Sequence, residues 1–315
     1  MQREDGMKKD RYNDMPRSLR KNKYAFCYLM LAIALLHFII FYVCVNINSI
    51  LLAFQEIRFE NWIEVRTYSL HNFQRFFQEL GRSDTQIHIA VVNTLKYFAV
   101  SIFLMIPLTF LVSYFLFKKI WGYRFFRVVF FLPSIISQVV LVTMFTGLIQ
   151  TAGPLYKLLE WFGCQMPPLL ATPSTATNTI LFYVVWTGFG VNMILYQGAM
   201  SRVPESVIEA GQLDGAHWYN ELFQIITPMV WSTLSTTILL ALTGIFTASG
   251  PILLFTRGGA DTTTIAYWIY EQVYYQSSQN YDYAASVGVI FTLFSFPIVV
   301  LSRWGLGKIF ADVEY

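Results

Sequence analysis

The residues with the clearest chemical potential form a short polar segment between two long apolar runs. Residues 209–216 read Glu-Ala-Gly-Gln-Leu-Asp-Gly-Ala, so the carboxylates of Glu209 and Asp214 stand among small neighbours. Small residues let another protein approach closely, and a carboxylate beside them can pair with a basic group on that protein. The pattern favours a docking site for a partner protein, although a solvated loop explains the same charges.

The residues around this segment predict two short helices joined by a sharp turn. Pro204 suits the first position of a helix, and Glu205 follows where the helix dipole favours an anion. We expect Gly215 to permit the turn and Asp214 to cap a second helix over residues 216–226. The predicted apolar faces consist of Val207, Ile208 and Leu213, and of Trp218, Leu222, Phe223 and Ile226.

The composition of the chain indicates an integral membrane protein. Of its 315 residues, 55% are hydrophobic and 13% are charged, whereas about a quarter are charged in ordinary soluble domains. A membrane-spanning helix needs about 20 mostly apolar residues. We therefore predict an all-α, polytopic membrane protein with six transmembrane helices, over residues 24–45, 91–117, 126–149, 176–200, 230–255 and 284–304.

Basic residues are distributed unevenly around these helices. If residues 1–23 form a cytoplasmic tail, fifteen of the 22 Lys and Arg residues lie on the cytoplasmic side, six lie outside, and Lys96 lies within a helix. Because cytoplasmic loops are enriched in Lys and Arg, we expect both termini to be cytoplasmic and residues 24–315 to form the transmembrane domain. The basic tail then faces membrane lipid, and no nucleic acid is expected as a partner.

Two segments outside the predicted spans have patterns of their own. Between residues 70 and 80, Leu and Phe recur at helical spacing. This predicts a short helix that lies flat at the outer surface with its aromatic side chains in the membrane interface. Residues 150–175 hold four Pro and two Gly, which predict an irregular external loop.

The polar segment resembles the EAA loop of permease subunits in bacterial binding-protein-dependent ABC importers. That family has Glu-Ala-Ala or Glu-Ala-Ser, then Asp-Gly-Ala, then Phe, Ile and Pro at fixed distances. Gly211 replaces the usual Ala or Ser, which predicts a looser first helix. The matching residues are Glu209, Ala210, Asp214, Gly215, Ala216, Phe223, Ile225 and Pro228.

Further matches along the chain are similar to carbohydrate permeases of the maltose-transporter kind. Each is weak by itself, and together they extend the resemblance over most of the chain. Ala260 departs from the pattern, because the family usually has Pro there. The matches are Asn72-Phe73, Asn93-Thr94, Arg127 with Phe131-Leu132-Pro133, Trp186 with Gly188, and Thr256 with Gly258-Gly259.

The resemblance implies a type I ABC importer permease bundle, also called MetI-like, with a core over about residues 88–305 and a cytoplasmic EAA coupling loop over residues 201–229. It implies a multi-pass protein of the bacterial plasma (inner) membrane that imports a sugar or oligosaccharide. The implied partners are a second permease subunit, a cytoplasmic ABC ATPase dimer that binds ATP and Mg, and an extracellular or periplasmic solute-binding protein. The implied coupling residues are Glu209, Ala210, Gly211, Asp214, Gly215 and Ala216.

Similar permeases contact sugar from the spans that flank the coupling loop. Aromatic side chains stack on sugar faces and amides bond to hydroxyls, so the residue types fit. Hydrogen bonds and small-residue packing between helices also explain each residue taken singly. The residues implied for the substrate path are Trp186, Thr187, Gly188, Asn192, Tyr196 and Gln197 on the fourth span, and Thr243, Gly244, Thr247 and Ser249 on the fifth.

Several alternatives stay open at the level of sequence. No phosphate-binding G-x-x-x-x-G-K-[ST] motif occurs, and the His and Cys residues show no metal or redox spacing. We therefore expect a non-catalytic chain with no cofactor or metal of its own. An importer permease for a non-sugar solute would keep the same mechanism. An ion-coupled secondary transporter would be expected to have intramembrane carboxylates or inverted repeats. A membrane scaffold without transport is the remaining alternative.

Overall fold

The structure is a computed structural model, and it describes residues 17–60, 63–163, 167–245, 249–274 and 280–309. The chain forms two compact units, Met1–Ser69 and Leu70–Tyr315. Helices make up most of the described residues, as expected for an all-α bundle, and a β-hairpin completes the first unit.

The first unit begins with one continuous apolar helix. Helix α1 (Arg17–Phe38) passes through a π-helical segment, Ile39–Cys44, into α2 (Val45–Ala53). The stretch Tyr24–Ala53 is long and apolar enough to cross a membrane, and none of the side chains in its most apolar part is buried. Such a helix suits contact with lipid, and it continues beyond its predicted end at residue 45.

A β-hairpin follows this helix in the first unit. Strands β1 (Gln55–Glu60) and β2 (Ile63–Tyr68) pair antiparallel, from Gln55 opposite Tyr68 to Glu60 opposite Ile63. The helical interpretation of the sequence missed this hairpin. The signal was present, because apolar and polar residues alternate along both strands with the period of two that strands require.

The second unit consists of helices joined by short connections. Two π-helical segments, Val100–Met105 and Glu221–Ile226, join α4 to α5 and α12 to α13. The described helices are α3 (His71–Leu80), α4 (Gln86–Ala99), α5 (Ile106–Phe117), α6 (Tyr123–Ile135), α7 (Gln138–Ile149), α8 (Pro154–Trp161), α9 (Pro173–Thr187), α10 (Phe189–Met200), α11 (Glu205–Leu213), α12 (Trp218–Asn220), α13 (Thr227–Met229), α14 (Trp231–Thr243), α15 (Ile252–Phe255), α16 (Ile265–Tyr274) and α17 (Tyr281–Ile309).

Five helical stretches of the described chain are long and apolar enough to cross a membrane. A sixth span requires a bent pair, in which Trp218–Met229 meets Trp231–Thr243 at 79°. This confirms the predicted polytopic helical architecture. The five stretches are Tyr24–Ala53, Gln86–Phe117, Gln138–Trp161, Pro173–Met200 and Tyr281–Ile309.

The third predicted span is not a single helix. Residues 126–149 divide into α6 and α7, because Ile136 and Ser137 adopt extended backbone with ψ of 141° and 133°. Pro133 lies inside α6 just before this break and removes one helical N–H donor. Apolar composition located the segment correctly but carried no information about the break.

Helix boundaries differ from the prediction in two further places. The predicted fifth span, residues 230–255, divides because α14 ends at Thr243 and α15 begins only at Ile252. The predicted irregular loop, residues 150–175, contains helix α8, which begins at Pro154. Proline is tolerated at the first helical position, so it marked a helix start there rather than a loop.

The main hydrophobic core lies between long helices of the second unit. Helix α10 packs along α5, where the rings of Phe110 and Tyr196 meet edge to face with centroids 5.4 Å apart. The hydroxyls of Tyr196 and Thr237 are 2.8 Å apart, which ties α10 to α14. Trp231 Nε1 donates to the Leu306 carbonyl oxygen at 2.9 Å and ties α14 to α17. These contacts join four helices into one packed group.

Helix α3 packs against the first turn of α17. Asn72 Nδ2 donates to Asp282 Oδ2 at 3.2 Å, and the Tyr283 hydroxyl donates to Glu79 Oε2 at 2.7 Å. Phe76 is 2% exposed and belongs to the core of this region. The predicted helix is therefore present, but Phe76 packs against protein rather than lying in the membrane interface.

The threonine loop, residues 256–264, is tightly hydrogen-bonded and lies against α4. Asn93 Nδ2 donates to the carbonyl oxygens of Asp261 at 2.6 Å and Thr263 at 3.0 Å. The Thr94 hydroxyl accepts a hydrogen bond at 3.0 Å from the first N–H of α16. The Asn93-Thr94 pattern and the Gly-Gly pattern of the loop, far apart in sequence, therefore form a single structure.

The backbone of the threonine loop bears on a departure from the family pattern. Arg257, Ala260 and Asp261 have φ of 50°, 52° and 55°, in the left-handed region that non-glycine residues rarely adopt. A proline ring fixes φ near −65°, so the proline usual at the position of Ala260 could not adopt this conformation. The hydrogen bonds from Asn93 hold the chain in it.

We predict that Asn93→Ala destabilises the second unit. The change removes two hydrogen bonds and leaves the Asp261 and Thr263 carbonyl groups without these donors, at a cost of about 1–3 kcal/mol in the free energy of unfolding. Thermal unfolding of the detergent-solubilised full-length chain should show a lower midpoint. Leu95→Ala, at an exposed position on the same helix, is the control and should leave the midpoint nearly unchanged. Equal midpoints for the two variants would contradict the assignment.

Candidate functional site

The insert, residues 201–229, turns a sharp corner between α11 and α12. The Gly215 N–H donates to the Gln212 carbonyl at 3.1 Å, and the Ala216 N–H donates to the Gly211 carbonyl at 2.9 Å. This pair of bonds is the Schellman motif, which places a left-handed residue just after the end of a helix. Gly215 occupies that position with φ of +79°. The predicted turn at Gly215 is confirmed.

The ends of the insert helices differ from the prediction. Pro204 precedes α11, which begins at Glu205. Asp214 ends α11 rather than capping the following helix, because the Schellman bonds occupy this corner. The second helix begins later than predicted, at Trp218, and the residue before it, His217, makes no side-chain capping bond.

The underside of the insert is buried in the main core. The second insert helix is the continuous stretch Trp218–Met229, which comprises α12, a π-helical segment and α13. Ile208 of α11 is 8% exposed, and Leu222 and Ile226 of the second insert helix are 1% and 0% exposed. They form one cluster with residues of α5, α10 and α14, so the insert is packed onto three helices and is not a free loop. The other buried members of the cluster are Ile106, Phe110, Tyr114, Tyr196, Met200, Val203, Val230 and Leu234.

The outward face of the insert carries acidic and apolar side chains together. Glu209 is exposed, as predicted, and Asp214 is exposed as well. Leu213 on this face is 89% exposed, although the sequence pattern assigned it to an apolar face of the helix. Phe223 is 63% exposed as well, but it lies elsewhere, in an apolar groove beside Phe103, Leu104 and Leu108. Leu213 lies five residues after the buried Ile208 on α11, so the helical period places it about 140° around the helix, away from the core. Exposed apolar side chains with charged neighbours are typical of surfaces that bind a partner.

Gly211 is the contact point between the two insert helices. Helix α11 runs unbroken through this residue, so the predicted loosening is not seen. A Cβ at position 211 would meet Ile225 Cδ1, and the nearest Ala216 atom would lie at 3.9 Å. Ala210 beside it is exposed. The glycine therefore admits the Ile225 side chain, which would have to change rotamer if Ala or Ser stood at 211.

A buried ion pair links the insert to the end of α5. Lys118 Nζ lies 2.9 Å from Glu221 Oε1 and 3.0 Å from Oε2, and the side chains are 29% and 4% exposed respectively. Gln212 Nε2 donates to Glu221 Oε2 at 3.4 Å. The buried Tyr114 hydroxyl interacts with the same carboxylate. Because an unpaired buried carboxylate is costly, this cluster fixes the insert against α5.

Sequence reasoning did not find Glu221. The available signal was a carboxylate directly before Leu222, on a helix predicted to be mostly apolar. Its partner Lys118 is 103 residues away, and no local pattern connects the two.

The residues predicted for the substrate path on the fourth span have mixed environments. Trp186 is 38% exposed and stacks near Phe145 with centroids 6.2 Å apart. A Cβ at Gly188 would lie 2.6 Å from Met105 Sδ, so close helix packing requires a glycine there. Thr187 donates to the Tyr183 carbonyl at 2.9 Å.

Two amides and one tyrosine complete this set. Asn192 and Gln197 are half-buried, and Gln197 Nε2 has no hydrogen-bond partner among the described residues. Tyr196 is fully buried, and its hydroxyl is paired with Thr237. The structure therefore places Tyr196 in the core between helices, where its hydroxyl already has a partner.

The residues predicted on the fifth span are not gathered into one site. Thr243 and Ser249 are exposed, and Thr247 lies outside the described residues. Gly244 lines an apolar cavity of about 190 Å³ between α4, α9 and α14. Tyr97, which sequence reasoning did not single out, also lines this cavity, and its buried hydroxyl has no partner among the described residues.

The described residues contain no group of three or more His, Cys, Asp or Glu that could hold a metal ion. His217 is exposed and stacks on Tyr219 with ring centroids 5.6 Å apart.

The chain is similar to named proteins of Bacillus subtilis strain 168. It is 26% identical over 289 residues to the "Probable ABC transporter permease protein YurN", covering 89% of this chain and 96% of that protein. It is 27% identical over 191 residues to the "Galactooligosaccharides transport system permease protein GanP", covering 58% of this chain and 44% of that protein. The chain therefore spans nearly all of one relative and less than half of the other.

A solved structure has the same fold. A chain of a bacterial ABC transporter involved in the import of the acidic polysaccharide alginate superposes with a TM-score of 0.77 at 22% identity, covering 93% of this chain and 99% of that chain. The sequence model of the family described as "Binding-protein-dependent transport system inner membrane component" matches residues 91–309, which is more than half of the chain and includes the whole insert. The chain therefore belongs to the family of inner membrane components of binding-protein-dependent transport systems.

Proposed function

We propose that this chain is the transmembrane permease subunit of an ATP-driven ABC importer for a sugar or oligosaccharide. The observation that carries the proposal is the two-sided insert. Its outward face presents acidic and apolar side chains to a partner, and its underside is packed into three helices. A partner that moves the insert therefore acts directly on the helices of the bundle.

The coupling partner in this proposal is a cytoplasmic ATPase dimer that binds ATP and Mg²⁺, while the chain itself has no catalytic residues. Leu213 provides the apolar part of the docking surface, and Glu209 and Asp214 provide charge at its rim. Apolar centres supply most of the binding energy, and rim charges select an oppositely charged partner. The matching surface of the ATPase would be an apolar groove flanked by basic residues.

Transport would proceed by alternating access. Closure of the ATPase dimer moves the two insert helices as one body, because the Schellman corner and the Gly211–Ile225 contact fix their relative position. The buried side chains of the insert pass this motion to α5, α10 and α14. Two permease subunits that rotate in this way open a shared path first to one side and then to the other.

The orientation is supported by charge. Lys118 contacts the insert, Lys119 and Arg124 follow Lys118 within six residues, and Arg202 lies in the insert itself. Basic residues favour the cytoplasmic side. We therefore place the insert and both termini in the cytoplasm of a bacterial cell. A solute-binding protein would then deliver cargo at the opposite end of the bundle.

The carbohydrate cargo rests on the relatives and on residue chemistry. GanP is named for galactooligosaccharides, and the structural neighbour imports alginate, so both handle glycans. On this chain, the aromatic ring of Trp186 and the amides of Asn192 and Gln197 suit sugar faces and hydroxyls. The remaining path residues in this proposal are Thr187, Gly188, Thr243, Gly244, Thr247 and Ser249.

The cargo proposal can be tested on the cognate solute-binding protein. Calorimetric titration with neutral and acidic oligosaccharides, amino acids and phosphonates should detect binding of an oligosaccharide and none of the other solutes. Uptake by vesicles that hold the assembled transporter should show the same selectivity. Binding of an amino acid or phosphonate in place of every glycan would leave the ABC importer intact and refute the sugar assignment.

Coupling at the insert can be tested with Glu209→Lys and Gly215→Val. Charge reversal repels a basic partner, and valine cannot adopt the left-handed conformation of Gly215 without a cost of about 1–2 kcal/mol. We expect receptor-stimulated ATP hydrolysis and uptake to fall about tenfold or more, as a loss of 1.4 kcal/mol or more in coupling requires. Gly215→Asn is the matched control, since asparagine tolerates this conformation. Normal uptake by Gly215→Val, with the variant present in the membrane at wild-type levels, would count against coupling through the insert.

The Lys118–Glu221 pair can be tested by exchanging its charges. Lys118→Met leaves the carboxylate of Glu221 without its cation, which should cost about 2 kcal/mol of stability, between the values for exposed and buried pairs. Uptake should fall with it, and the double exchange Lys118→Glu with Glu221→Lys should restore part of both. Lys119→Met changes an exposed neighbouring lysine and serves as control. If both methionine variants behave alike, the pair does not position the insert.

A further inference from the structure

A cavity with both apolar and polar lining lies beside the threonine loop, at the end of the bundle opposite the insert. Its volume is about 190 Å³, enough for several water molecules. One wall is a face of α4, another is the first turn of α9, and the rim is the threonine loop. The residues that matter here are His88, Val92, Asn93, Lys96, Thr177 and Asp261.

The cavity reaches into the membrane-spanning part of the chain. His88 and Lys96 are two helical turns apart on α4, a rise of roughly 12 Å. Lys96 thus lies inside the candidate span Gln86–Phe117, where an ionisable side chain is costly unless it serves a purpose. Its place in this cavity gives it polar neighbours, Asn93, Thr177 and Asp261, that lipid does not offer.

The two charged groups of the cavity are not paired with each other. Among the described residues, neither Lys96 nor Asp261 takes part in an ion pair. Asp261 is instead fixed through its backbone, since its carbonyl oxygen accepts from Asn93 at 2.6 Å and from Thr177 at 3.5 Å. The ammonium and the carboxylate therefore remain free to bond a third molecule.

We propose that this cavity is an outer binding station for a hydroxyl-rich segment of the transported glycan, an inference that rests on the proposed function. Lys96 donates to a sugar hydroxyl, Asp261 accepts from another, and Val92 packs against the C–H face of the ring. A sugar uses both signs of charge, because a hydroxyl both donates and accepts. A phosphate headgroup of lipid would use Lys96 but would be repelled by Asp261, so the glycan fits better.

Cysteine accessibility in the assembled transporter tests the proposal. In a background with Cys27, Cys44 and Cys164 changed to Ser, Val92→Cys places a thiol on the cavity wall. The water-soluble reagent MTSET, added to nanodisc complexes, should modify it, and β-1,4-galactotriose, maltotriose or an alginate trisaccharide should slow the reaction. Adding Lys96→Met should raise the sugar concentration that halves the rate of modification about tenfold, because one hydrogen bond to a charged group is lost.

Leu95→Cys is the matched control, because Leu95 is an exposed neighbour on α4 that does not line the cavity. No sugar should protect it. The proposal is overturned if Val92→Cys is unreactive, if no sugar protects it, or if phosphatidylglycerol in place of phosphatidylcholine protects it and sugar does not. Import of one of these sugars without protection refutes the station alone, whereas absence of both import and protection for all three refutes the cargo assignment as well.

Discussion

The burial of Glu221 between the insert and α5 constrains the whole second unit. A carboxylate that is 3% exposed needs its cation, so the end of α5, which carries Lys118, cannot separate from the second insert helix without isolating a charge. Leu222 and Ile226 on the same helix are thereby held against α10 and α14. One electrostatic requirement and a non-directional apolar contact together make the insert and three helices move as one body.

The two ends of the bundle are stabilised by different chemistry. At the insert end, aliphatic and aromatic side chains dominate the contacts, and packing of this kind lets the insert and its three helices shift together against their neighbours. At the opposite end, Asn93 and Thr94 hold the threonine loop, and Tyr283 holds Glu79, through directional hydrogen bonds. Such bonds fix relative positions more strictly. The bundle therefore combines a region suited to movement with a region suited to presenting a fixed surface.

Much of this architecture could be predicted from the sequence, because its signals are local. Apolar run length located the spans, and the Asp-Gly pair located the corner at Gly215. Contacts between distant segments could not be predicted. Nothing local relates Glu221 to Lys118, and composition cannot show that Ile136 breaks a helix. The exposure of Leu213 was missed although its signal is local, since the helical period already places it away from the buried Ile208 on α11.

The 79° bend between Trp218–Met229 and Trp231–Thr243 has a mechanical consequence. The second insert helix lies almost across the axis of α14, and Val230 at the junction is 2% exposed. A push along the insert helix therefore acts on α14 as a sideways torque about a buried pivot, and little of it becomes displacement along the axis. A small step at the surface is thus converted into tilting of α14, whose far end sweeps the greater arc.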